Sequence, residues 1–157
     1  LVVAALAKKA GWKVVLTPAP SSEFDPKLLE FVDIITLNET EVTQLVGATD
    51  FESAGAELSK LVGLVFVTRG AQGVSVFADG QFLGNVDAMA VDAIDATGAG
   101  DTFCGYAVAG LAQGLTPLEA AELGTVAAGI SVQSRGASNS IPSRHEVDSL
   151  MLKRQKG

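Results

Sequence analysis

Short apolar runs alternate with helical patterns along most of this chain, and that alternation constrains the fold more than any other feature. Runs with the length and β-branched content of buried strands occur at residues 13–17, 33–37 and 64–68. Helical patterns cover residues 1–10, 38–46 and 52–61. Strands separated by helices predict an α/β fold built on a mostly parallel sheet.

The remaining segments complete that organisation. A loop is expected at residues 18–22, and Asp79-Gly80 is a typical two-residue turn that predicts an antiparallel hairpin of 74–78 with 81–84. Further helices are predicted at about 101–113, 117–133 and 144–153. Because there is no linker or internal repeat, we expect one domain portion over residues 1–157.

Composition limits the functional classes. Hydrophobic residues make up 48% of the chain and charged residues 18%, which excludes a disordered chain. The net charge of −7 and the absence of a basic patch argue against a nucleic-acid partner. No apolar run reaches the ~18 residues of a membrane span. Cys104 is the only cysteine, so no internal disulfide can form, and we expect a reducing compartment such as the cytoplasm.

The strongest chemical signal is the sequence D-A-T-G-A-G-D at residues 95–101. Its small residues Gly98, Ala99 and Gly100 lie at a predicted helix start, where backbone N–H groups can converge on an anion. Asp101 adds a carboxylate at the same place, and this pairing suits a base that accepts a proton beside a transferring phosphoryl group. The alternative is an ordinary helix with an acidic residue in its first turn.

Two glycine-rich sequence patterns of other nucleotide-binding proteins do not match this chain. The pattern G-x-x-x-x-G-K-[ST] of P-loop proteins is absent, and G-x-G-x-x-G from Gly98 would require glycine where Phe103 stands. These mismatches argue against a P-loop NTPase and a Rossmann oxidoreductase.

Three further segments are candidates for binding. Asn38 and Glu41 follow a strand and could hold Mg²⁺ directly or through water, although the same spacing is typical of a capping box, which we favour. The segment T-R-G-A-Q-G at 68–73 could let a nucleotide approach closely or could simply begin a hairpin. The loop 133–140 offers oxygens that could surround a cation. His145, the single histidine, is expected at the surface.

These segments occur in one order along the chain: T-P-A-P, L-N-E-T-E, V-T-R-G-A-Q-G-V, D-A-T-G-A-G-D-T-F and R-G-A-S-N-S-I-P. That order resembles the ribokinase-like (PfkB) carbohydrate kinases, over the C-terminal half of a typical member. The resemblance implies a three-layer α/β/α fold with the N-terminal part and the sugar lid missing. It also implies phosphoryl transfer from ATP to a sugar hydroxyl, with ribose O5 as the first candidate.

The resemblance implies specific roles for individual residues. Asp101 would be the catalytic base and contact the sugar, and Gly98, Ala99 and Gly100 would form the anion hole. Glu41 would act on Mg²⁺ through water. The residues that would bind ATP, besides Gly100 and Asp101, are Asn38, Thr68, Arg69, Gly70, Ala71, Gln72, Gly73 and Thr125. The residues that would bind K⁺ are Asp95, Thr97, Ser131, Ser134, Gly136 and Ser140.

The sequence departs from the family pattern at some of these positions. Thr125 stands near a position that often carries Asn beside the adenine, and Cys104 stands where Asn is common. Since most sugar contacts of the family lie upstream of Leu1, we expect this chain alone to bind ATP weakly and to turn over little sugar. Family members often dimerise, so a homodimer is expected of the intact enzyme. The alternatives are another sugar or nucleoside kinase, such as a fructokinase or adenosine kinase, or a truncated nucleotide-binding module without catalysis.

Overall fold

The computed structural model describes residues 1–18 and 25–154. Its strands are β1 (Val15–Leu16), β2 (Ile34–Asn38), β3 (Leu64–Thr68), β4 (Val74–Ala78) and β5 (Gln81–Val86). Its α-helices are α1 (Val2–Lys9), α2 (Glu39–Val46), α3 (Phe51–Val62), α4 (Ala99–Ala112), α5 (Pro117–Ser131) and α6 (Arg144–Arg154). Short 3₁₀ helices occur at Pro26–Phe31, Gly70–Gln72 and Ser138–Ser140. The loop predicted at 18–22 falls mostly on residues 19–24, which lie outside the described residues.

The strands form one mixed sheet in the order β1-β2-β3-β4-β5. The pairs β1–β2 and β2–β3 are parallel, so their carboxyl ends lie at the same edge. The two-residue turn Asp79-Gly80 joins neighbours β4 and β5, which are therefore antiparallel. Both turn residues have positive φ, 50° and 82°, as a tight hairpin of this type requires. The sequence prediction of an α/β sheet with an antiparallel hairpin is confirmed.

The first predicted strand is shorter than expected, because Asp33 organises its beginning. The Asp33 carboxylate accepts a hydrogen bond from the Val14 N–H at 2.9 Å and ion pairs with Lys8 at 2.7 Å and Lys13 at 3.1 Å. The Val14 carbonyl in turn accepts the Asp33 N–H. Burial alone would raise the pKa of Asp33, but these hydrogen bonds and the nearby positive charge of Lys13 hold it below its usual value. A regular strand therefore begins only at Val15.

The described chain divides into two compact units, one formed by residues 1–69 and 75–85, the other by 70–74 and the chain from 86 onward. The core of the first unit is built from alternate residues of β2 and β3 and the inner sides of α2 and α3. Its buried members are Val32, Ile35, Leu37, Val42, Ala54, Leu58, Val62, Val65, Val67 and Phe77. This core fixes the carboxyl ends of β2 and β3, where several candidate residues lie.

The second unit is mainly helical, with α4 packed on α5 and α5 on α6. A Cβ at Gly124 would lie 2.7 Å from the Phe103 carbonyl oxygen, so only glycine lets α5 approach α4 this closely. The Tyr106 hydroxyl donates to the Pro142 carbonyl at 2.7 Å and joins α4 to the segment before α6. These contacts hold α4, and with it the 95–101 segment, in place.

Candidate active site

The beginning of α4 is built to expose backbone N–H groups. Gly98 is its N-cap, with φ 76° and ψ 5°, and no side chain caps the helix there. The Ala99 N–H donates to the Ala96 carbonyl at 3.2 Å. Helix geometry leaves the N–H groups of Gly100 and Asp101 without an intrahelical acceptor. A Cβ at Gly100 would meet no atom within 4 Å, so the space beside these groups is open.

Four other helices satisfy the same N–H groups with side chains, whereas α1, like α4, has no side-chain cap. Asn38 caps α2, Asp50 caps α3 and Thr116 caps α5, each by accepting a hydrogen bond from the residue three positions on. Before α6, Ser143 and Glu146 exchange equivalent bonds. The glycine start of α4 therefore differs from an ordinary capped helix, and its free N–H groups and dipole favour an anion.

Asp101 lies in the first turn of α4, and its side chain is exposed. Its carboxylate is thus available to a molecule bound at the helix start. Negative charge is favoured at a helix N-terminus, which is where this carboxylate lies. The sequence placed Gly98, Ala99, Gly100 and Asp101 together, and the structure has them in a single helical turn.

Asp95 joins two loops through its carboxylate. Its Oδ1 accepts the Thr97 N–H at 2.9 Å and its Oδ2 accepts the Gly136 N–H at 2.9 Å. Hydrogen bonds from the Thr97 side chain, the Gly136 N–H and the Thr97 N–H lower the pKa of Asp95 to about 2. Asp95 is therefore a carboxylate that accepts one backbone N–H from each of two loops.

The other predicted K⁺ residues are only partly brought together. The N–H groups of Ile94 and Asp95 donate to the Val132 carbonyl, next to Ser131. The buried hydroxyls of Ser131 and Ser140 donate to the carbonyls of Ala128 and Ala137, each at 2.8 Å.

Ser134 lies exposed on the same loop, and its N–H donates to the Ser131 carbonyl. The set consists of carboxylate, hydroxyl and carbonyl oxygens, which suit a hard cation. Within residues 1–18 and 25–154, no cluster of three or more His, Cys, Asp or Glu side chains could hold a metal.

In the first unit, Asn38 and Glu41 form the capping box that their spacing predicted. Asn38 Oδ1 accepts the Glu41 N–H and Glu41 Oε2 accepts the Asn38 N–H, both at 2.8 Å. The second carboxylate oxygen of Glu41 stands outside this pair of bonds. Asn38 is also the register partner of Thr68 on β3, so two of the predicted ATP residues lie side by side at the carboxyl edge of the sheet.

Arg69 follows β3 and its guanidinium carbon lies 5.5 Å from the centre of the Phe51 ring. A cation over an aromatic face is an attractive contact, and it directs Arg69 toward the start of α3. The predicted role of Arg69 in phosphate binding remains a prediction, and its stacking is a structural contribution that the sequence did not indicate.

Gly70 to Gly73 form a tight turn, closed by a hydrogen bond of 3.1 Å from the Gly73 N–H to the Gly70 carbonyl. Gly73 has φ 90°, and a Cβ there would overlap the Val86 carbonyl oxygen. Ala71 and Gln72 are exposed on the outside of the turn. The glycine at 73 is therefore required by its own backbone neighbours, whether or not a nucleotide binds beside it.

The sequence around Thr102 and Thr125 does not indicate that their hydroxyl groups are buried. Thr125 on α5 and Thr102 on α4 are 5% and 3% exposed. Their Oγ1 atoms, like that of Thr36 on β2, have no hydrogen-bond partner among the described residues. Such orphaned groups are uncommon in proteins, and a bound ligand or an ordered water is one way in which their bonding can be completed. Thr125 was predicted to contact ATP only through the resemblance. His145 is exposed, as predicted.

The sequence profile of the pfkB family carbohydrate kinases matches residues 1–144. This chain belongs to the pfkB family. Among curated relatives, the ribokinase of Haemophilus influenzae is 43% identical over 150 residues, which cover 92% of this chain and 49% of that protein. The ribokinase of Lactococcus lactis is 36% identical over 147 residues, covering 94% and 48%.

Solved structures of the family agree with the fold. Thermotoga maritima ribokinase superposes with a TM-score of 0.86 at 32% identity, over 95% of this chain and 52% of that one. Arabidopsis thaliana ribokinase, solved with ribose and ATP, gives 0.86 at 33% identity, over 94% and 50%. The predicted ribokinase-like fold is confirmed, and the chain spans about half the length of these relatives. None of the helices in residues 1–18 and 25–154 is long and apolar enough to cross a membrane.

Proposed function

We propose that this chain is the C-terminal catalytic portion of one kinase domain that transfers the γ-phosphoryl group of ATP to a sugar hydroxyl, with ribose O5 as the acceptor. One observation carries the proposal. The α4 helix begins with an uncapped glycine turn, whose N–H groups are open to an anion, and bears an exposed Asp101 in the same turn. Membership of the pfkB family and the ribokinase names of its relatives support the reaction and the sugar.

Asp101 is the proposed base. As the sugar hydroxyl attacks the γ-phosphorus, its proton passes to the Asp101 carboxylate, the new O–P bond forms and ADP leaves with the electrons of the broken P–O bond. Proton transfer in the transition state contributes about 10²–10⁴-fold in rate. Its exposed carboxylate lies in the same helical turn as the proposed anion site and is therefore accessible to a hydroxyl group bound there.

The start of α4 is the proposed anion hole. The N–H groups at Gly100 and Asp101 are fixed by the helix and reached without obstruction, because Gly98, Ala99 and Gly100 carry small or no side chains. Donors held in place before the reaction stabilise the charge that develops on the phosphoryl oxygens without reorganising. The positive end of the helix dipole acts in the same direction.

The MgATP residues of the first unit are proposed from the family and from their positions. An E. coli protein of this fold, 26% identical with a TM-score of 0.84, was solved with ATP and Mg²⁺. Glu41 would hold Mg²⁺ through water, and this fits the carboxylate oxygen left outside its capping bond. Bound Mg²⁺ would neutralise phosphate charge during transfer. Asn38 and Thr68 at the sheet edge, the turn 69–73 and the orphaned hydroxyl of Thr125 would bind ATP.

A monovalent cation, K⁺, is proposed for the loops that Asp95 joins, with Thr97, Ser131, Ser134, Gly136 and Ser140 as the remaining donors. The oxygen-only donor set supports this assignment. We further propose that the intact enzyme works in the cytoplasm, where MgATP and K⁺ are abundant, and that it can form a homodimer.

The proposal is tested by ADP release from the full-length protein with ATP and a panel of ribose, fructose, adenosine and glucose, each with K⁺ or with an equal concentration of a quaternary ammonium salt. We expect ribose to give the highest kcat/KM and K⁺ to raise it. Fructose or adenosine as the preferred acceptor would overturn the assignment to ribose. Equal rates in the two salts would overturn the K⁺ site. ATP binding without phosphate transfer to any acceptor would instead indicate a nucleotide-binding module.

A further inference from the structure

Each oxygen of the Asp95 carboxylate accepts one backbone N–H, and the two N–H groups belong to different loops. Its Oδ1 holds the N–H of Thr97, the residue before Gly98, and its Oδ2 holds the N–H of Gly136, the residue before Ala137. Both bonds are 2.9 Å long. The residues that follow these two anchors, Gly98 and Ala137, are thereby brought against each other.

Gly98 and Ala137 lie close together, with little room for a side chain between them. A Cβ on Gly98 would lie 3.2 Å from the Ala137 Cβ and 3.3 Å from its Cα. Gly98 has a left-handed backbone, so its conformation directly determines where the N–H groups that follow it point. Ala137 thus lies beside Gly98, whereas a Cβ at Gly100 would meet no atom within 4 Å.

The exposure of Ala137 and its neighbours shows that Ala137 does not belong to the hydrophobic core. Ala137 is exposed, and so are Ser138 and Asn139 after it. Its carbonyl is held from the other side by the hydroxyl of Ser140, which is only 7% exposed. Ala137 is therefore a small, exposed residue that is held by hydrogen bonds at the Gly136 N–H and at its own carbonyl. It lies beside Gly98, the N-cap of α4.

We propose that Ala137 is a positioning residue for phosphoryl transfer: by bearing on Gly98 it fixes the direction of the N–H groups at the start of α4. The inference rests on the proposed anion hole and extends it to a residue 39 positions away in the sequence. Interactions aimed at developing charge act most strongly in the transition state, so loss of this support lowers kcat more than it changes the KM for ATP.

The test compares three variants of the full-length protein. Ala137→Gly removes the methyl group that faces Gly98, Ala137→Ser keeps the Cβ, and Ser138→Gly loosens the same loop without touching Gly98. We expect Ala137→Gly to lower kcat by at least ~5-fold with KM for ATP within ~2-fold, since displacement of a reacting group by about 1 Å can cost about 100-fold. Ala137→Ser should retain kcat within ~2-fold. Melting temperatures of Ala137→Gly and Ser138→Gly should agree.

A double-variant comparison tests the contact itself. Gly98→Ala places a Cβ 3.2 Å from the Ala137 Cβ and 3.3 Å from its Cα, and adding Ala137→Gly removes the first of these two contacts. The double variant should therefore lose less than the product of the two single losses in kcat. Gly47→Ala is the matched control, because Gly47 has nearly the same φ, 74°, with nothing within 4 Å of its added Cβ.

The failures of the two proposals are distinguishable. If Ala137→Gly keeps wild-type kcat, loses stability in proportion to activity, or combines multiplicatively with Gly98→Ala, Ala137 is not a positioning residue. In each of those cases a large loss of kcat in Asp101→Asn leaves the proposed function standing. If Asp101→Asn itself turns over normally, the proposed function fails and the role of Ala137 fails with it.

Discussion

Replacing Gly73 by alanine should separate structural from nucleotide-binding requirements in the turn that follows β3. The added Cβ would overlap the Val86 carbonyl oxygen and lie 2.7 Å from the Ala88 nitrogen and 2.9 Å from the Asp87 carbonyl carbon. All three are backbone atoms, so no side-chain rotation can relieve the overlap. The segment 86–88 must move, or the turn must open.

The magnitude follows from two contributions. A left-handed backbone costs a residue with a Cβ roughly 1–2 kcal/mol, and overpacking that shifts the backbone costs about 1–3 kcal/mol. The sum predicts that Gly73→Ala lowers the free energy of unfolding by about 2–5 kcal/mol. Gly70→Ala in the same turn is the matched control. Gly70 has φ 53° and open space around its Cβ, so only the backbone contribution of about 1–2 kcal/mol applies.

The assay is urea denaturation of the full-length wild type and both variants, followed by circular dichroism, together with the KM for ATP. Gly73→Ala should unfold at clearly lower urea than Gly70→Ala, and the difference should remain with saturating ATP. If the two variants were equally stable and differed only in their KM for ATP, the glycine at 73 would serve the nucleotide and not the fold.

Three other substitutions test particular contacts. Because the pKa of Asp33 is lowered in the folded state, its contribution is present above about pH 4, the unfolded value, and is lost as the pH falls through the folded value. Asp33→Asn should therefore destabilise by about 1 kcal/mol at pH 7, and in urea titrations this difference from wild type should shrink as the pH is lowered below about 4. Thr125→Val should leave thermal stability unchanged or raise it, since the buried Oγ1 has no partner in the described structure, and should raise the KM for ATP if that hydroxyl contacts the nucleotide; an unchanged KM would remove Thr125 from the site. Gly55→Ala should destabilise by about 1–2 kcal/mol although alanine favours helices, because its Cβ would lie 2.6 Å from two ring atoms of Phe77; a gain in the urea midpoint would contradict the reasoning.

Much of the fold could be predicted because its signals are local. β3 was predicted over the residues that it occupies, and the hairpin was predicted from Asp79-Gly80 alone. The capping box of α2 followed from the spacing of Asn38 and Glu41. β1 was predicted too long. The Val14 N–H before it donates to the carboxylate of Asp33, about 20 residues away, and this contact could not be predicted from the local sequence. The 3₁₀ helix Pro26–Phe31 was not predicted, although Asp25 caps it and Pro26 begins it.

The candidate site shows the same division. Gly98 to Asp101 could be identified from the sequence because the helix start and its chemistry lie within four residues. The contact of Ala137 with Gly98 could not, since it depends on a carboxylate that links two loops far apart in the chain. Similarly, nothing beside Thr102 in the sequence indicates that its hydroxyl is buried without a partner.

The central claim is that Asp101 accepts the proton of the sugar hydroxyl. The most direct measurement is the single-turnover rate of phosphoryl transfer in full-length Asp101→Asn, with Asp92→Asn as a control because Asp92 is also an exposed carboxylate of the second unit. We expect a rate at least about 100-fold below wild type, an unchanged dissociation constant for ATP, and wild-type behaviour of Asp92→Asn. A single-turnover rate of Asp101→Asn within a few-fold of wild type would contradict it.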